Sequence, residues 1–205
     1  MKNNLTHASK FLSLILRHNP QAGNITLDSN GWAITNKVLD ALRSKGYTGT
    51  QEFLDEIVST DNKQRYGYSD DKSLIRANQG HSVEVDLSLV PKIPPDILYH
   101  GTAEKSVPSI MASELRSGSR QYVHLSRDIP TATSVGSRHG KPHILEINAK
   151  AMTADGFEFF CSKNNVWLTK VVPSKYVNYP AASSGASSFN GVNLYTWPLQ
   201  SRLKS

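Results

Sequence analysis

The chain of 205 residues has a single cysteine and no long apolar segment. One cysteine, Cys161, excludes an internal disulfide and a cysteine-based zinc site, and it is typical of a protein in a reducing compartment. No stretch approaches the roughly 18–20 apolar residues that a membrane-spanning helix needs. The first residues, MKNNLTHASK, lack the apolar core of a signal peptide. We therefore expect no membrane partner and a cytoplasmic protein, also nuclear if the source is a eukaryote.

Glycine-rich phosphate-binding motifs are missing as well. The chain contains neither the GxGxxG fingerprint of a Rossmann fold nor a P-loop motif, which excludes these two common nucleotide-binding architectures. No cluster of histidine, cysteine and carboxylate residues indicates a metal cofactor.

Acidic residues are outnumbered by basic ones, 17 to 23, and the formal net charge is +6. The excess is uneven, because residues 1–95 carry a net charge of +1 and residues 96–205 a net charge of +5. Five of the seven histidines fall between His81 and His143. This distribution favours a polyanionic partner such as nucleic acid or a phosphorylated nucleotide, although an ordinary basic surface has the same charge.

A proline-rich segment, VPKIPPDI at residues 90–97, divides the chain, since its three prolines disfavour helix and remove ladder donors. Before it, the apolar spacing predicts a helix in SKFLSLILRHNP, an extended piece with a turn at Asn30-Gly31, two more helices and a hairpin turning at Asp70-Asp71. The buried face of the first helix is predicted to hold Phe11, Leu12, Ile15 and Leu16. Three helices followed by a two-stranded ribbon is the order of a winged-helix unit, which often touches nucleic acid, but plain scaffolds share that order.

The part after the prolines is predicted to be rich in strands: ILYHGT, QYVHLS, HILEIN, FEFFCS and VWLTKVV. Helices are predicted in SVPSIMASEL and in DIPTATSVGSRHG, the second with Asp128 as its N-cap. Residues 181–205 form a Ser/Gly-rich tail in which VNLYTWP is a candidate edge strand. We therefore predict an α+β protein with two lobes, residues 1–92 and 97–180, and a tail.

Arg17 and His18 lie at the end of the first predicted helix. The helix dipole favours cations there, which is one sufficient explanation; a pair of phosphate donors at the edge of a groove is the other. From its spacing to Phe11 and Leu14, His18 is expected to point closer to the packed face than Arg17.

The segment SLIRANQGHS, residues 73–82, begins as a strand that puts Arg76 on the face opposite Ile75 and Ala77. Its following residues, Asn78 to His81, are compatible with a binding site or with a simple turn.

Two predicted strands end in histidine. His100 is followed by Gly101, which would let a ligand lie against the backbone, and by the hydroxyl of Thr102. His124 is followed two positions later by Ser126, so the two strand ends are expected to form opposite walls of a cleft. VGSRHGKP adds Arg138 at a predicted helix end, where a solvated basic cap is the alternative.

These stretches together resemble the RNA 2′-phosphotransferase family, also called tRNA 2′-phosphotransferases. The matching pieces run in the family's order from about residue 9 to 176 and are SKFLSLILRHNP, LDSNGW, KQRYGYSDDKSLIRANQGHS, LYHGT, VHLSRD, VGSRHGKP and VWLTKVVP. The resemblance implies an N-terminal winged-helix lobe and a β-rich C-terminal lobe of the ADP-ribosyltransferase type. The chain departs from the family's pattern at Glu114 and Tyr122, where glycine and histidine are expected, and at Asn165.

The resemblance also implies removal of an internal 2′-phosphate from RNA, of the tRNA splice-junction type, with NAD consumed as co-substrate. The RNA 2′-phosphate attacks the anomeric carbon of the nicotinamide ribose and expels nicotinamide. The ribose 2″-hydroxyl then attacks the new phosphodiester, which releases RNA with a free 2′-hydroxyl and ADP-ribose 1″,2″-cyclic phosphate. The expected partners are therefore 2′-phosphorylated RNA, above all tRNA, and NAD, and we expect a monomer.

By the same resemblance, the catalytic set is Arg17, His18, Arg76 and Arg138. The cofactor-binding set is His100, Gly101, Thr102, His124 and Ser126. The catalytic glutamate of many ADP-ribosyltransferases is replaced by an apolar residue at or near Val166, since a phosphate nucleophile needs no base and a carboxylate would repel it. Two other functions stay open: ADP-ribosylation of nucleic-acid terminal phosphates, and RNA binding without catalysis.

Overall fold

A computed structural model describes residues 2–178, so the tail and its candidate edge strand lie outside the described residues. The described part mixes helices with short strands in small sheets of two or three strands, and all strand pairs are antiparallel. The predicted α+β class is confirmed. Among these residues, no helix has the length and apolarity needed to cross a bilayer.

The residues before the prolines form three helices and one three-stranded sheet. The helices are α1 (Lys2–Arg17), α2 (Thr35–Ser44) and α3 (Gln51–Ser59), and the strands are β1 (Trp32–Ile34), β2 (Tyr66–Tyr68) and β3 (Leu74–Ala77). The strand order is β1-β3-β2, with the β2–β3 hairpin turning where the sequence predicts. Local signals explain the boundaries: Gly46 after α2 has φ of 79°, and the Thr50 hydroxyl accepts a hydrogen bond from Phe53 N at the start of α3.

A first hydrophobic cluster holds this part together. The predicted face of α1 is buried, with Leu12, Ile15 and Leu16 fully inaccessible and Phe11 at 9% exposure. It packs against α2, α3 and the sheet through Val38, Leu42, Leu54, Ile57 and Ile75. The burial of these side chains is what fixes the end of α1, and with it Arg17, against the sheet.

From residue 97 to residue 178, where the described part ends, the chain forms three α-helices and eight short strands. The helices are α4 (Val107–Ala112), α5 (Ile129–Gly136) and α6 (Ala149–Ala154). The strands are β4 (Ile97–Ala103), β5 (Glu114–Arg116), β6 (Val123–Leu125), β7 (Pro142–Asn148), β8 (Phe160–Cys161), β9 (Trp167–Thr169), β10 (Val171–Pro173) and β11 (Val177–Asn178).

Two predicted elements differ from the structure. The helix predicted in SVPSIMASEL ends at Ala112, and Glu114–Arg116 is a strand that pairs with Val171–Pro173. VWLTKVV is therefore two strands in two sheets, β9 and β10. Helix α6 was not predicted, because its apolar residues continue the alternation of β7 without a break in pattern.

The two histidine-bearing strands lie side by side. The sheets are ordered β11-β7-β4 and β6-β9-β8, and the backbone joins them where Tyr99 N donates to Ser126 O at 2.9 Å and Ser126 N donates to Tyr99 O at 2.8 Å. A second hydrophobic cluster lies beneath them, with Leu98, Leu125, Leu145, Ile147 and Phe159 almost inaccessible. His100 and His124 are thereby neighbours, but the prediction that each histidine ends its strand is wrong, because β4 continues to Ala103 and His124 is the middle residue of β6.

The proline segment is extended, as predicted, and it is attached to the second part of the chain. Pro91 pairs with Phe160 as an isolated bridge, and Lys92 N donates to Phe159 O at 2.8 Å. The two hydrophobic clusters lie on either side of residues 90–97 in sequence. The lobe boundaries at residues 92 and 97 stay a prediction.

Helix α5 lies unusually close to β4, and two glycines permit this. A Cβ added to Gly101 would lie 1.7 Å from Ala132 O, and one added to Gly136 would lie 2.9 Å from Thr102 O. The absent side chain of Gly101 therefore makes room for a helix. The sequence predicted a different reason for this glycine, namely a ligand lying against its backbone. That reason does not explain why a Cβ at position 101 would collide with α5.

We expect Gly101→Ala to destabilise the protein by about 1–3 kcal/mol or more, because α5 must move away from β4 to admit the methyl group. The measurement is the free energy of unfolding in urea. Gly46→Ala is the matched comparison, since a Cβ there meets nothing within 4 Å and only the positive φ is unfavourable, at about 1 kcal/mol. Equal losses in the two variants would contradict the close approach of α5.

Candidate active site

Arg17 is the last residue of α1, and its side chain is buried at 7% exposure. Its Nε and Nη2 atoms are inaccessible and have no hydrogen-bond partner within residues 2–178. Burial lowers the pKa of Arg17 to about 10, so the guanidinium still carries its charge at neutral pH. A desolvated cation with unpaired donors is unfavourable unless an anion compensates it.

The chain that follows β3 folds over the end of α1. Ser82 N and Val83 N donate to Arg17 O at 2.9 and 3.3 Å, and Gly80, with φ of 89°, faces the guanidinium. A Cβ at Gly80 would lie 3.6 Å from Arg17 Cζ. The segment RANQGHS therefore forms the wall against which Arg17 is held.

The expected directions of Arg17 and His18 are wrong, because Arg17 is buried and His18 is exposed. His18 follows the last residue of α1, so the helical period no longer sets its direction, and the covering of Arg17 by residues 80–83 is a tertiary effect. His18 Nδ1 and Ser82 Oγ share a hydrogen bond of 2.9 Å. Burial and the charges of Arg17 and Arg120 lower the pKa of His18.

Arg76 lies on the face of β3 that the sequence predicts, opposite Ile75 and Ala77. Its guanidinium stacks on Trp32, with Cζ 4.4 Å from the ring centroid, and Nη1 donates to Asn30 O at 3.3 Å. Stacking on an aromatic face orients the planar group and leaves its other N–H donors available.

His81 connects these three side chains electrostatically. It is 1% exposed, and neither ring nitrogen has a partner among the described residues. Burial and the charges of Arg17, His18 and Arg76 lower the pKa of His81 to about 4. Three of the four predicted catalytic residues therefore surround one buried, neutral histidine.

Arg138 is placed differently. It lies in the single 3-10 turn Ser137–His139 that follows α5, and its side chain is exposed. Within residues 2–178 no hydrogen bond or ion pair holds it, and its charge is not among the causes that lower the pKa of His81. Its catalytic role stays a prediction.

A cavity of about 360 Å³ opens at the ends of β4 and β6. Four of the five predicted cofactor-binding residues line it, namely His100, Gly101, Thr102 and His124. Ser126 does not, because it is used in the backbone pairing with Tyr99. A neighbouring cavity of about 670 Å³ shares His100, Thr102, Lys105, Ser106 and Arg116 with the first.

Hydrogen bonds define the tautomers of the two cavity histidines. His100 Nδ1 donates to His124 O at 3.0 Å, since a carbonyl can only accept, and His100 Nε2 is left as an acceptor. His124 Nε2 donates to Gln79 Oε1 at 2.7 Å. Burial lowers the pKa of His100, and burial with the charges of Arg120 and Arg17 lowers that of His124 to about 3. Both rings are neutral donors and acceptors at neutral pH.

Gln79 is the residue that links the two parts of the site. It precedes Gly80, which faces Arg17, and its side chain bonds His124 in the cavity. Gln121 makes two further contacts across the same junction, as its N donates to His81 O at 3.1 Å and its Nε2 to Val85 O at 2.9 Å. In the sequence, Gln79 belongs to a segment compatible with a binding site or with a simple turn, and spacing alone gives no sign of its partner.

Arg120 is the cation that the sequence analysis missed. It is exposed, lines the cavity, and its charge lowers the pKa of Arg17, His18, His100 and His124. Its position in the loop that leads into β6, four residues before His124, was the available signal. The arrangement thus places a positive charge between the cavity and the buried Arg17, where phosphate groups would be stabilised.

Comparison with known proteins identifies the family of the chain. The model of the RNA 2′-phosphotransferase, Tpt1 / KptA family matches residues 3–171. The chain belongs to this family. The RNA 2′-phosphotransferase model covers α1, the RANQGHS segment and both histidine-bearing strands, so the predicted resemblance is confirmed.

Similar proteins of RNA 2′-phosphotransferase type occur in several bacteria. The chain is 49% identical to a probable RNA 2′-phosphotransferase of Hahella chejuensis over 87% of its own length and 96% of that protein. It is 48% identical to proteins with the same description from Flavobacterium johnsoniae, covering 83% of this chain and 94% of that protein, and from Fusobacterium nucleatum, covering 83% and 96%. Membership in this family supports an enzyme acting on the 2′-phosphate of RNA.

The buried histidines of this RNA 2′-phosphotransferase family member predict acid lability. Between pH 6.5 and 5 the unfolded chain binds protons at His81 and His124 that the folded protein excludes, so the free energy of unfolding falls as pH falls. The slope is at most about 1.4 kcal/mol per pH unit for each histidine. In urea titrations, His81→Leu should show a flatter pH dependence than the parent over this range. Parallel curves for the two proteins would contradict a neutral His81 in the folded state.

Proposed function

We propose that this protein removes an internal 2′-phosphate from RNA and consumes NAD as the second substrate. The products are RNA with a free 2′-hydroxyl, nicotinamide and ADP-ribose 1″,2″-cyclic phosphate. One observation carries the proposal: the buried N–H donors of Arg17, unpaired within residues 2–178, face Gly80, whose neighbour Gln79 bonds one of the two neutral histidines of the cavity. Family membership supports the part of the proposal that concerns the 2′-phosphate of RNA.

The phosphate side of the site suits a dianion that arrives already ionised. Arg17 supplies donors that are desolvated and unpaired, and Arg76 supplies a stacked guanidinium that does not titrate. Charge-assisted hydrogen bonds to phosphate are stronger in such a site than in water. A phosphate bound there would neutralise Arg17, whose burial without an anion is unfavourable.

The residues of the cavity suit an anionic dinucleotide. Lys105, Arg116 and Arg120 provide positive charge, and the carboxylate among the lining residues, Glu114, is paired with Arg116 at 2.6 Å. Together the two adjoining cavities lie within the size range of small-molecule sites. NAD brings an anomeric carbon whose leaving group is neutral nicotinamide, so the protein need supply no acid for that departure.

The proposed reaction has two chemical steps, and each step gives a role to particular residues of this chain. In the first, Arg17 and Arg76 hold the 2′-phosphate while one of its oxygens forms a bond to the anomeric carbon and the bond to nicotinamide breaks. In the second, the ribose 2″-oxygen bonds to phosphorus, the RNA 2′-oxygen leaves, and the proton lost by one oxygen is gained by the other. His18, exposed beside Arg17 and bonded to Ser82, is positioned to donate that proton. Arg17 and Arg76 stabilise the negative charge that is added at phosphorus, and we propose Arg138 as a third arginine with this role.

We further propose the finer architecture that goes with this chemistry. Three helices and the β1-β3-β2 sheet support a winged-helix lobe for the RNA phosphate. The sheets β11-β7-β4 and β6-β9-β8, with a histidine within each of two neighbouring strands, support a lobe of the ADP-ribosyltransferase type. The resemblance supports tRNA with a splice-junction 2′-phosphate as the physiological substrate, in the cytoplasm.

The direct test is incubation of the protein with a 2′-phosphorylated oligoribonucleotide, with and without NAD. We expect 2′-hydroxyl RNA, nicotinamide and the cyclic phosphate in equal amounts, and none of them without NAD. Chromatography and mass spectrometry of all three products provide the measurement. RNA that is unchanged in the presence of NAD would exclude the proposal, and a stable ADP-ribosylated RNA would indicate transfer without phosphate removal.

Arg138→Ala should leave the fold intact, because the side chain is exposed, and let ADP-ribosylated RNA accumulate, because charge stabilisation in the second step is lost. We expect a fall of about 10²-fold or more in that step. Single-turnover assays follow the intermediate. The control is Lys150→Ala, an exposed lysine paired with Asp96, which should behave as the parent. Turnover of Arg138→Ala at the parent's rate would remove Arg138 from the mechanism.

A further inference from the structure

A groove on the outer side of α1 is not used by the reaction described above. It has a volume of about 520 Å³ and lies between α1, the end of α3 and the start of β2. Its polar lining consists of five hydroxyl residues, two cations and one carboxylate, namely Thr6, Ser9, Ser13, Thr60, Tyr66, Lys10, Arg65 and Asp61. Hydroxyl groups and cations are the side chains that most often contact phosphate and sugar oxygens of nucleic acid.

Helix α1 itself carries charge of one sign. Over Lys2–Arg17 its sequence, KNNLTHASKFLSLILR, contains no aspartate or glutamate. The groove residues Thr6, Ser9, Lys10 and Ser13 recur at helical spacing, so they form one stripe along the helix that leads toward Arg17. A stripe of this kind attracts a polyanion along its whole length.

Asp61, the carboxylate among the groove residues, presents no free charge. Its side chain is 5% exposed and is paired with the guanidinium of Arg65. It also accepts from the backbone N–H groups of Lys63 at 3.2 Å and Arg65 at 2.7 Å. Because these partners occupy the carboxylate of Asp61, it does not neutralise Lys10. Lys10 therefore supplies the uncompensated positive charge of the groove.

The groove adjoins the predicted phosphate site. Ser13 precedes Arg17 by one turn of helix, about 6 Å along the axis. Tyr66 and Arg65 line the groove, and their charges, with that of Asp61, act on the pKa of Arg17. Tyr66 also donates to Ser9 O at 2.8 Å, which ties β2 to α1 and closes the floor between them. An extended chain held at Arg17 can therefore continue into the groove.

We propose that this groove binds the sugar-phosphate backbone of the single-stranded RNA that flanks the 2′-phosphorylated nucleotide. Lys10 contacts a flanking phosphate, and the hydroxyls of Ser9, Ser13 and Thr60 contact phosphate or ribose oxygens. The inference rests on the proposed function, since it assumes that the 2′-phosphate binds at Arg17. It adds a subsite that makes the enzyme prefer an internal 2′-phosphate within a longer strand to one in a short fragment.

Binding tests the groove without any turnover. A fluorescent single-stranded oligoribonucleotide of about 12 nucleotides, a length within the range that single-strand binding grooves cover, is titrated against the full chain at several salt concentrations. Lys10→Ala should weaken binding about fivefold and reduce the slope of log K against log salt by about 0.7. Lys37→Ala is the matched control, since Lys37 is exposed on α2 and lies outside the groove. Equal effects of the two variants, or tighter binding of an acidic peptide than of the RNA, would overturn the proposal.

Kinetics separate this subsite from the catalytic site. Two 2′-phosphorylated substrates are compared, a trinucleotide and the longer oligonucleotide, and the measured quantity is the ratio of their KM values. In the parent the longer strand should have the lower KM, and Lys10→Ala should move the ratio toward one while kcat stays within about twofold. A parent that prefers neither substrate would overturn the subsite. A parent that turns over neither would refute the proposed function instead, and the binding experiment would still decide the groove.

Discussion

The buried charge of Arg17 is the constraint around which the rest of the site is arranged. A guanidinium at 7% exposure with two unpaired donors is maintained because the α1 hydrophobic face is fully buried and because residues 80–83 cover the helix end. The same charge, acting with burial, lowers the pKa of the neighbouring histidines, His18, His81 and His124. The rings of His81 and His124 are therefore neutral at physiological pH, and the arginines of this region carry its positive charge.

The two parts of the site are joined by few but direct contacts. Gln79 belongs to the segment that covers Arg17, yet its side chain bonds His124 in the cavity. Gln121, three residues before His124, bonds the backbone of His81 and Val85 in the opposite direction. These contacts in both directions fix the position of the buried Arg17 relative to the cavity. A reaction between two bound substrates requires such a fixed geometry.

Local sequence signals were sufficient for much of the fold. Asp128 caps α5 by accepting from Thr131 N at 2.7 Å, and the β2–β3 hairpin turns around Asp70-Asp71. Period-two alternation correctly placed Arg76 opposite Ile75. Each of these outcomes depends only on residues a few positions apart, where propensity, capping and alternation act directly.

The errors have a common origin in contacts between distant residues. Glu114–Arg116 is a strand rather than the end of a helix because Val171–Pro173 pairs with it, and Gly101 is glycine because α5 packs on it. Ser126 lies outside the cavity because Tyr99 uses its backbone. Arg120 was overlooked because its importance arises largely from three side chains that are remote in sequence, namely Arg17, His18 and His100.

The amino-acid sequence by itself determined the α+β class, most elements, the family and the residue types that can bind phosphate. Tertiary structure alone decided that Arg17 is buried while His18 is exposed and that Gln79 reaches His124. The reason is physical: helical and strand periods set the direction of a side chain only within its own element. Beyond the element, burial depends on which other segment packs over it, and no local pattern records that.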